Sequence, residues 1–293
     1  MLRTPLATTL ASITLLAACG GGGGGGGGDE IVNGPVGSYE RIDDGGNREN
    51  RLGGFAITGG EEDVDLARLR GTFDGRTGAV SVSGGRVSLT DSDGADADGL
   101  LVDDDDPDRF AVFADDAFFG IDDFAVVGAI VRDTGGVDDE ASLGVIGITT
   151  DRRDIPTSGT ATYTGGTEAS WASIGGAQQT LRGSSRIVSN FDTERVNVTL
   201  DFDQVTDRTF TASSQPAVDR ITMRGMEIDG NTFRGGTIRT FDDGDTAIRS
   251  VEQAEAGGTF FGYDAGIDAP DEAGGAFVVR GETEAIFGVF AGD

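Results

Sequence analysis

Residues 195–202 read Arg-Val-Asn-Val-Thr-Leu-Asp-Phe, with Val196, Val198, Leu200 and Phe202 on one parity and Asn197, Thr199 and Asp201 on the other. Successive side chains of an extended strand point to opposite faces, so this octet predicts a strand with one buried and one wet face. Such alternation suits an antiparallel sheet. Elsewhere Val, Thr, Phe and Ile recur in short bursts between clusters of Gly, Asp, Asn and Ser, and 50 glycines supply the turns. That is the pattern of many short strands joined tightly. Helical spacing is nearly absent; Glu61–Arg70 is the one stretch spaced for a few helical turns. The expected fold class is all-β.

Candidate strands fall into two groups. Gly54–Thr58, Ala67–Phe73, Ala79–Val82, Arg86–Thr90, Arg109–Phe113, Phe124–Val131 and Leu143–Thr149 occupy a first β-rich region beginning at Ser38. Arg152-Arg153-Asp154-Ile155-Pro156-Thr157 forms the boundary, since Pro156 resists continuing a central strand. Beyond it come Thr160–Thr164, Ser170–Ile174, Thr180–Val188, Arg195–Phe202, Arg220–Ile228, Asn231–Phe241, Gly258–Tyr263, Gly275–Arg280 and Ala285–Ala291. The phase of the Arg220 strand slips at Gly225, where a bulge would return Met226 and Ile228 inward. About eight strands in this length suit a small closed barrel filled by its own side chains. Ala285–Ala291 is apolar on both faces and would aggregate as a free edge, which argues for pairing on both sides. The expected domains are thus a β-rich handle-like unit over 38–157 and an eight-stranded antiparallel barrel over 158–293.

The N-terminus resembles a secretory signal, with Arg3 as its positive region and an uncharged stretch over Leu6–Leu16. Leu16-Ala17-Ala18-Cys19 fits a bacterial lipobox: small residues admit the backbone to a signal peptidase, and the thiol accepts the lipid. Residues 1–18 are then the signal and 19–37 a lipidated cysteine with a glycine-rich tether, Gly20–Gly28 being unbroken glycine. Several acyl chains, at ~0.8 kcal/mol per buried methylene, would make a stable membrane anchor. Gly20 in place of Asp after the cysteine favours onward transfer to the outer membrane, on its surface or its periplasmic face. Phe124–Val131, the longest later apolar run, is too short to cross a bilayer as a helix.

Once Arg3 leaves with the signal, 21 arginines face 51 acids, a net charge of −30. A field of that sign repels nucleic acid and attracts cations or basic partners. The chain has no lysine, no histidine and one cysteine. Ser-His-Asp triads, Cys-His pairs and His-ligated zinc are therefore excluded, and no cofactor or catalytic residue is predicted.

Three stretches of the second half resemble the β-barrel domain of transferrin-binding protein B-like surface lipoproteins. They are Thr157-Ser158-Gly159-Thr160-Ala161-Thr162-Tyr163-Thr164-Gly165, Gly257–Ala265 followed by Glu272–Phe277, and Ile286-Phe287-Gly288-Val289-Phe290-Ala291-Gly292. They are similar to that domain's opening strand, closing hairpin and final strand. The resemblance implies a lipid anchor, a linker, a β-rich handle and an eight-stranded barrel. A single such lobe is closer to the haemoglobin-receptor accessory and factor H-binding lipoproteins of the wider group. It implies non-catalytic binding of a protein or an iron- or haem-bearing ligand, and it carries no ligand-contact residue over.

Asp91 to Asp108 holds nine acids and no base, which reads as an exposed loop. Within it Asp91, Asp93, Asp96 and Asp98, before Gly99, are spaced like a calcium loop that Asp105 could close. Gly94 occupies the first-ligand position, so a solvated acidic loop is the alternative. The doublets Asp115-Asp116 and Asp122-Asp123 flank Phe118-Phe119-Gly120 and read as surface residues, since neighbours on a strand diverge. Trp171, Tyr163, Phe260, Phe261 and Tyr263 fit barrel packing or an interface. Arg182, Arg186, Arg224, Arg234 and Arg239 are placed to pair across strands. The rival to a binding module is an acidic structural or protective coat protein without a specific ligand.

Overall fold

The structure is a computed structural model that describes residues 49–59, 64–74, 79–85, 87–92, 101–113, 116–121, 124–132, 140–173, 178–206, 215–243, 245–262 and 269–293. It is nearly all β. Strands β1 (Glu49–Gly59), β2 (Val64–Asp74), β3 (Val80–Gly84), β4 (Val87–Asp91), β5 (Leu101–Val102), β6 (Arg109–Phe113), β7 (Ala125–Arg132) and β8 (Glu140–Ile148) form one antiparallel sheet. Its order is β4-β3-β2-β1-β8-β7-β6-β5. The four-residue helix α1 (Asp116–Phe119) lies between β6 and β7. Residues 64–70 are strand where the sequence suggested helical turns: Val64 and Leu69 are buried, and the pairing of β2 with β1 and β3 overrides local spacing.

The two end strands of this sheet meet through side chains. The Thr90 N–H donates to Asp103 Oδ2 at 2.8 Å, and the Val102 N–H to Asp91 Oδ2 at 3.0 Å. Ser92 N–H donates to both Asp104 carboxylate oxygens at 3.1 and 3.2 Å, and Asp104 N–H to the Thr90 carbonyl at 2.8 Å. Carboxylates, with one backbone bond from Asp104, take the place of a regular strand pairing, and the sheet becomes a nearly closed eight-stranded barrel. Part of the supposed acidic loop is thereby a structural seam: Leu101–Val102 is strand, and Asp91 and Asp103 are buried. A buried carboxylate is tolerated when backbone N–H groups satisfy it.

The second sheet comprises β9 (Thr160–Ser173), β10 (Gln178–Asn190), β11 (Arg195–Thr206), β12 (Arg220–Asp229), β13 (Thr232–Arg234), β14 (Thr237–Asp242), β15 (Asp245–Thr246), β16 (Val251–Phe261), β17 (Glu272–Gly281) and β18 (Glu284–Gly292). Its order is β11-β10-β9-β18-β17-β16-β13-β12-β14-β15, and a β11–β12 pairing closes it. Since β13 and β14 both pair with β12 and β15 only extends a hairpin, the barrel has eight staves. Val196, Val198, Leu200 and Phe202 are buried inside it, as the alternation requires. The slip at Gly225 is a bulge: its φ is 69°, its N–H donates to Asn197 Oδ1 at 3.0 Å, and Met226 is fully buried.

The apolar residues form three layers. Leu52, Ala56, Leu69, Val126 and Ile146 fill the first barrel. Tyr163, Trp171, Leu200, Met223, Phe233, Phe260, Phe277, Ile286 and Phe290 fill the second. Between the barrels lie Phe55, Ile57, Val127 and Val145 from one side and Phe261, Ala276, Val278, Phe287, Val289 and Ala291 from the other. This is why β18 is apolar on both faces: Ile286 and Phe290 point into its own barrel, Phe287 and Val289 into the interface. A Cβ on Gly257 would stand 2.5 Å from the Phe55 ring, so only glycine admits that contact. The Thr149–Phe261 bridge and the Gly262 N–H to Ile148 carbonyl bond (3.0 Å) tie the backbones of the two halves together.

Candidate functional site

The residues singled out in the sequence are dispersed by the fold. Cys19, Asp93, Asp96, Asp98, Asp115, Asp122, Asp123 and Tyr263 lie outside the described residues. Asp91 belongs to the seam, and Asp105, which could have closed a calcium loop, is exposed with its N–H donating to Asp103 Oδ1 at 3.2 Å. Among the described residues no group of three or more His, Cys, Asp or Glu side chains could hold a metal ion. Tyr163 and Phe260 pack with Phe191 and Phe233 in the core of the second barrel, ring centroids 5.1–6.2 Å from Phe260. Burial holds the Tyr163 hydroxyl well above the usual phenol range, with the Asp271 charge adding to it. Phe261 lies between the domains.

Of the arginines, Arg182 pairs with Glu168 at 2.6 Å across β9 and β10, and its guanidinium sits 5.0 Å from the Phe118 ring centroid of α1. Burial raises the Glu168 carboxyl above its ordinary value, and Arg182 opposes that shift without cancelling it. The pair is a structural joint between α1 and the second barrel.

The first barrel holds an apolar cavity of only about 30 Å³, lined by Leu52, Leu69, Leu89, Leu101 and Ile146 among others, which has room for one water-sized body. The far end of the second barrel is different. There the β14–β15 turn and the β17–β18 turn face one another across a cup of about 760 Å³, lined by Trp171, Asp242, Asp243, Asp245, Arg249, Glu282 and Glu284, with Thr246, Ser250 and Thr283 between them. Pockets that hold small ligands span roughly 300–1,000 Å³. Local bonds hold the residues flanking the β14–β15 turn. The Ala247 N–H donates to the Thr240 carbonyl at 3.1 Å, Ile248 N–H to Thr240 Oγ1 at 2.9 Å, and Asp243 N–H to Asp219 Oδ2 at 3.0 Å. Asp243 and Ser250 adopt left-handed φ of 48° and 51°. Trp171, 9% exposed, lines the same cup, and its buried indole N–H has no acceptor among the described residues.

Five carboxylates around one guanidinium focus a negative potential into a concave end. The charge of this lining is complementary to a cation. Sequence reading missed it because Asp242-Asp243-Gly244-Asp245 and Gly281-Glu282-Thr283-Glu284 each look like ordinary turns. Only the β16–β17 pairing, with Val251 opposite Gly281, brings the two turns together.

Residues 155–293 match the family model described as the C-lobe and N-lobe beta barrels of Tf-binding protein B. The second barrel is of the Tf-binding protein B type. No curated protein matches the chain. Among solved structures, intact Ap-TbpB with its N and C lobes is 12% identical over 84% of this chain and 77% of its own, with a TM-score of 0.41. A transferrin-binding protein B mutant from Haemophilus parasuis Hp5 is 13% identical over 84% and 76%, at a TM-score of 0.39. The isotype 1 protein from serogroup B Neisseria meningitidis is 20% identical over 83% of this chain, which spans 43% of that protein, at a TM-score of 0.46.

Proposed function

We propose that this chain is a lipid-anchored bacterial surface protein that binds a protein or an iron-bearing ligand without chemistry. The observation that carries the reading is the match of residues 155–293 to the barrels of a protein named for binding transferrin. The lipobox ending at Cys19, with its glycine tether, supports attachment to the outer membrane, and the absence of histidine supports a non-catalytic role. Two measurements test it. Labelled palmitate should enter the wild-type chain and not Cys19→Ala. A fragment beginning at Ser38 should retain a partner from host fluids; capturing none, with normal iron and haem uptake in a deletion strain, overturns the reading.

One observation favours the rival coat function: among the described residues Val251 is the sole exposed large hydrophobic, whereas binding surfaces commonly present aromatic anchors. A deletion strain with intact ligand capture but reduced envelope resistance would decide for the coat.

A further inference from the structure

We propose that the outer wall of the second barrel, formed by β10, β11, β12 and the β13–β14 stave, is a docking surface for an anionic polysaccharide. The inference goes beyond the ligand reading above and concerns a separate face of the molecule.

The strand registers align the outward side chains of this wall into rows. Arg186, Thr199, Thr222 and Arg239 stand opposite one another across β10, β11, β12 and β14. Arg195, Glu227 and Arg234 do the same across β11, β12 and β13. Between these rows Arg224 stands opposite Thr237. The bulge at Gly225 makes this possible. Its extra residue lets Arg224 before it and Glu227 after it both face outward while Met223 and Met226 stay buried.

The wall thus gathers five exposed arginines against one carboxylate, in a chain whose formal net charge is −29. Arg186, Arg224 and Arg239, expected from sequence to pair across strands, find Thr199, Thr237 and Thr222 opposite them. Neither they nor Arg234 join an ion pair among the described residues, and Arg195 donates only to the Glu194 carbonyl at 2.9 Å. The nearby acids are engaged or lie on the rim: Asp201 holds Arg220, Asp229 holds Arg152, and Asp192 and Glu194 sit in the β10–β11 turn. Charges more than about 8 Å away are largely screened at physiological salt, so a partner touching the wall meets its local positive excess.

The chemistry of the wall selects the partner. A guanidinium is planar and permanently charged, and its fork fits the paired oxygens of carboxylate, sulfate or phosphate. Arg186 and Arg239 stand three strand spacings apart, about 14 Å, which suits a polymer that repeats its charge better than one small anion. Thr199, Thr237 and the Asn197 amide lie between the arginines and can bond sugar hydroxyls. Val251, the sole exposed large hydrophobic among the described residues, is on β16 and not on this wall. The wall therefore lacks the anchors of a protein interface and the aromatic platforms on which bases stack. Strands β11 and β12 lie opposite β17 and β18 in the barrel order, so the wall faces away from the first barrel.

The full chain is titrated with fluorescent dextran sulfate, with neutral dextran, anionic phospholipid vesicles and duplex DNA run alongside. Dextran sulfate should bind saturably and more weakly as salt rises, and neutral dextran should not bind. Replacing Arg186, Arg224 and Arg239 by Gln should weaken binding about tenfold or more, and Lys at the same positions, which keeps the charge, should restore most of it. Replacing Arg51, Arg68 and Arg70, exposed on the first barrel, by Gln removes the same charge and should change nothing. Melting temperatures equal to wild type verify that the variants are folded. Absence of dextran sulfate binding at physiological salt, or equal weakening by the two Gln triples, overturns the proposal. So does tighter, wall-dependent binding of vesicles or DNA, which assigns the surface to a lipid or a nucleic acid instead. The probe is a defined polymer, so these results stand whether or not the fragment from Ser38 captures a protein.

Discussion

The Phe55 ring of the first barrel occupies the space that a side chain on Gly257 of the second would need: a Cβ there would stand 2.5 Å from the ring. Both belong to strands whose neighbours line the interface, so the contact couples the two halves. Gly257→Ala forces the ring or the strand to move. Overpacking of this kind costs about 1–3 kcal/mol, and cooperative thermal unfolding should shift down accordingly. Phe55→Ala removes the ring from a site 6% exposed and should cost about 3–5 kcal/mol. A Gly257→Ala variant as stable as wild type would mean that the interface yields freely.

The second barrel alone, residues 155–293, should self-associate. Separation uncovers Phe261, Ala276, Val278, Phe287, Val289 and Ala291 as one contiguous apolar patch, and such patches drive association. Size-exclusion chromatography should show oligomers or loss of material, relieved by Phe287→Ser with Val289→Thr. A monodisperse wild-type fragment would contradict the three-layer core.

Glu168 should make stability fall as pH rises. Burial raises its folded-state value above the ordinary 4.5, so its contribution is fully present below that pH and is lost as pH climbs through the raised value. Denaturant titrations of wild type and Glu168→Gln across pH 4 to 8 should show the difference curve sloping in that sense. Arg182→Met strands the buried carboxylate and should destabilise by about 1–3 kcal/mol near neutral pH, Arg182 being itself partly exposed.

Asp151 behaves oppositely. Hydrogen bonds from the Arg153 side chain and backbone hold its carboxyl near 2, below the ordinary 3.8. Its stabilising effect is present above 3.8 and disappears as pH falls through the lower value. Carboxyl-carbon NMR should find Asp151 titrating near 2, and Arg153→Gln should return it toward 3.8.

The seam of the first barrel depends on Asp91 and Asp103. Asp103→Ala leaves the Thr90 N–H without its acceptor, and Asp91→Ala does the same to Val102. Losing a part-buried hydrogen bond of this kind costs about 0.5–1.5 kcal/mol, and amide exchange at Thr90 and Val102 should accelerate before that of β1 or β8. Unchanged protection in both variants would remove the carboxylates from the closure.

Much of this architecture is legible in the chain because its signals are local. The alternation over Val196–Phe202 and the phase slip at Gly225 state strand, face and bulge directly. The doubly apolar runs at Ala285–Ala291 and Phe124–Val131 announce burial on both sides, though what covers each second face is the other barrel. Other features depend on distance in sequence. Thr160–Ser173 is one strand because Gly165 and Gly166 let β9 run close under α1, a contact that no local pattern contains. Asp91 and Asp103 look like loop acids until β4 and β5 are brought edge to edge. The cup is invisible for the same reason, since its two turns lie 40 residues apart.

The position of β18 has a kinetic meaning. It bonds to β9 and β17, encloses the second barrel and supplies one wall of the interface, with Asp293 still exchanging backbone bonds with Thr164. Neither of those two cores can be completed before β18 pairs. Closure joins strands more than a hundred residues apart, and such long-range pairing is intrinsically slow. A chain that postpones its own closure in this way stays threadable for longer, a useful property if it must pass through a secretion channel before it folds.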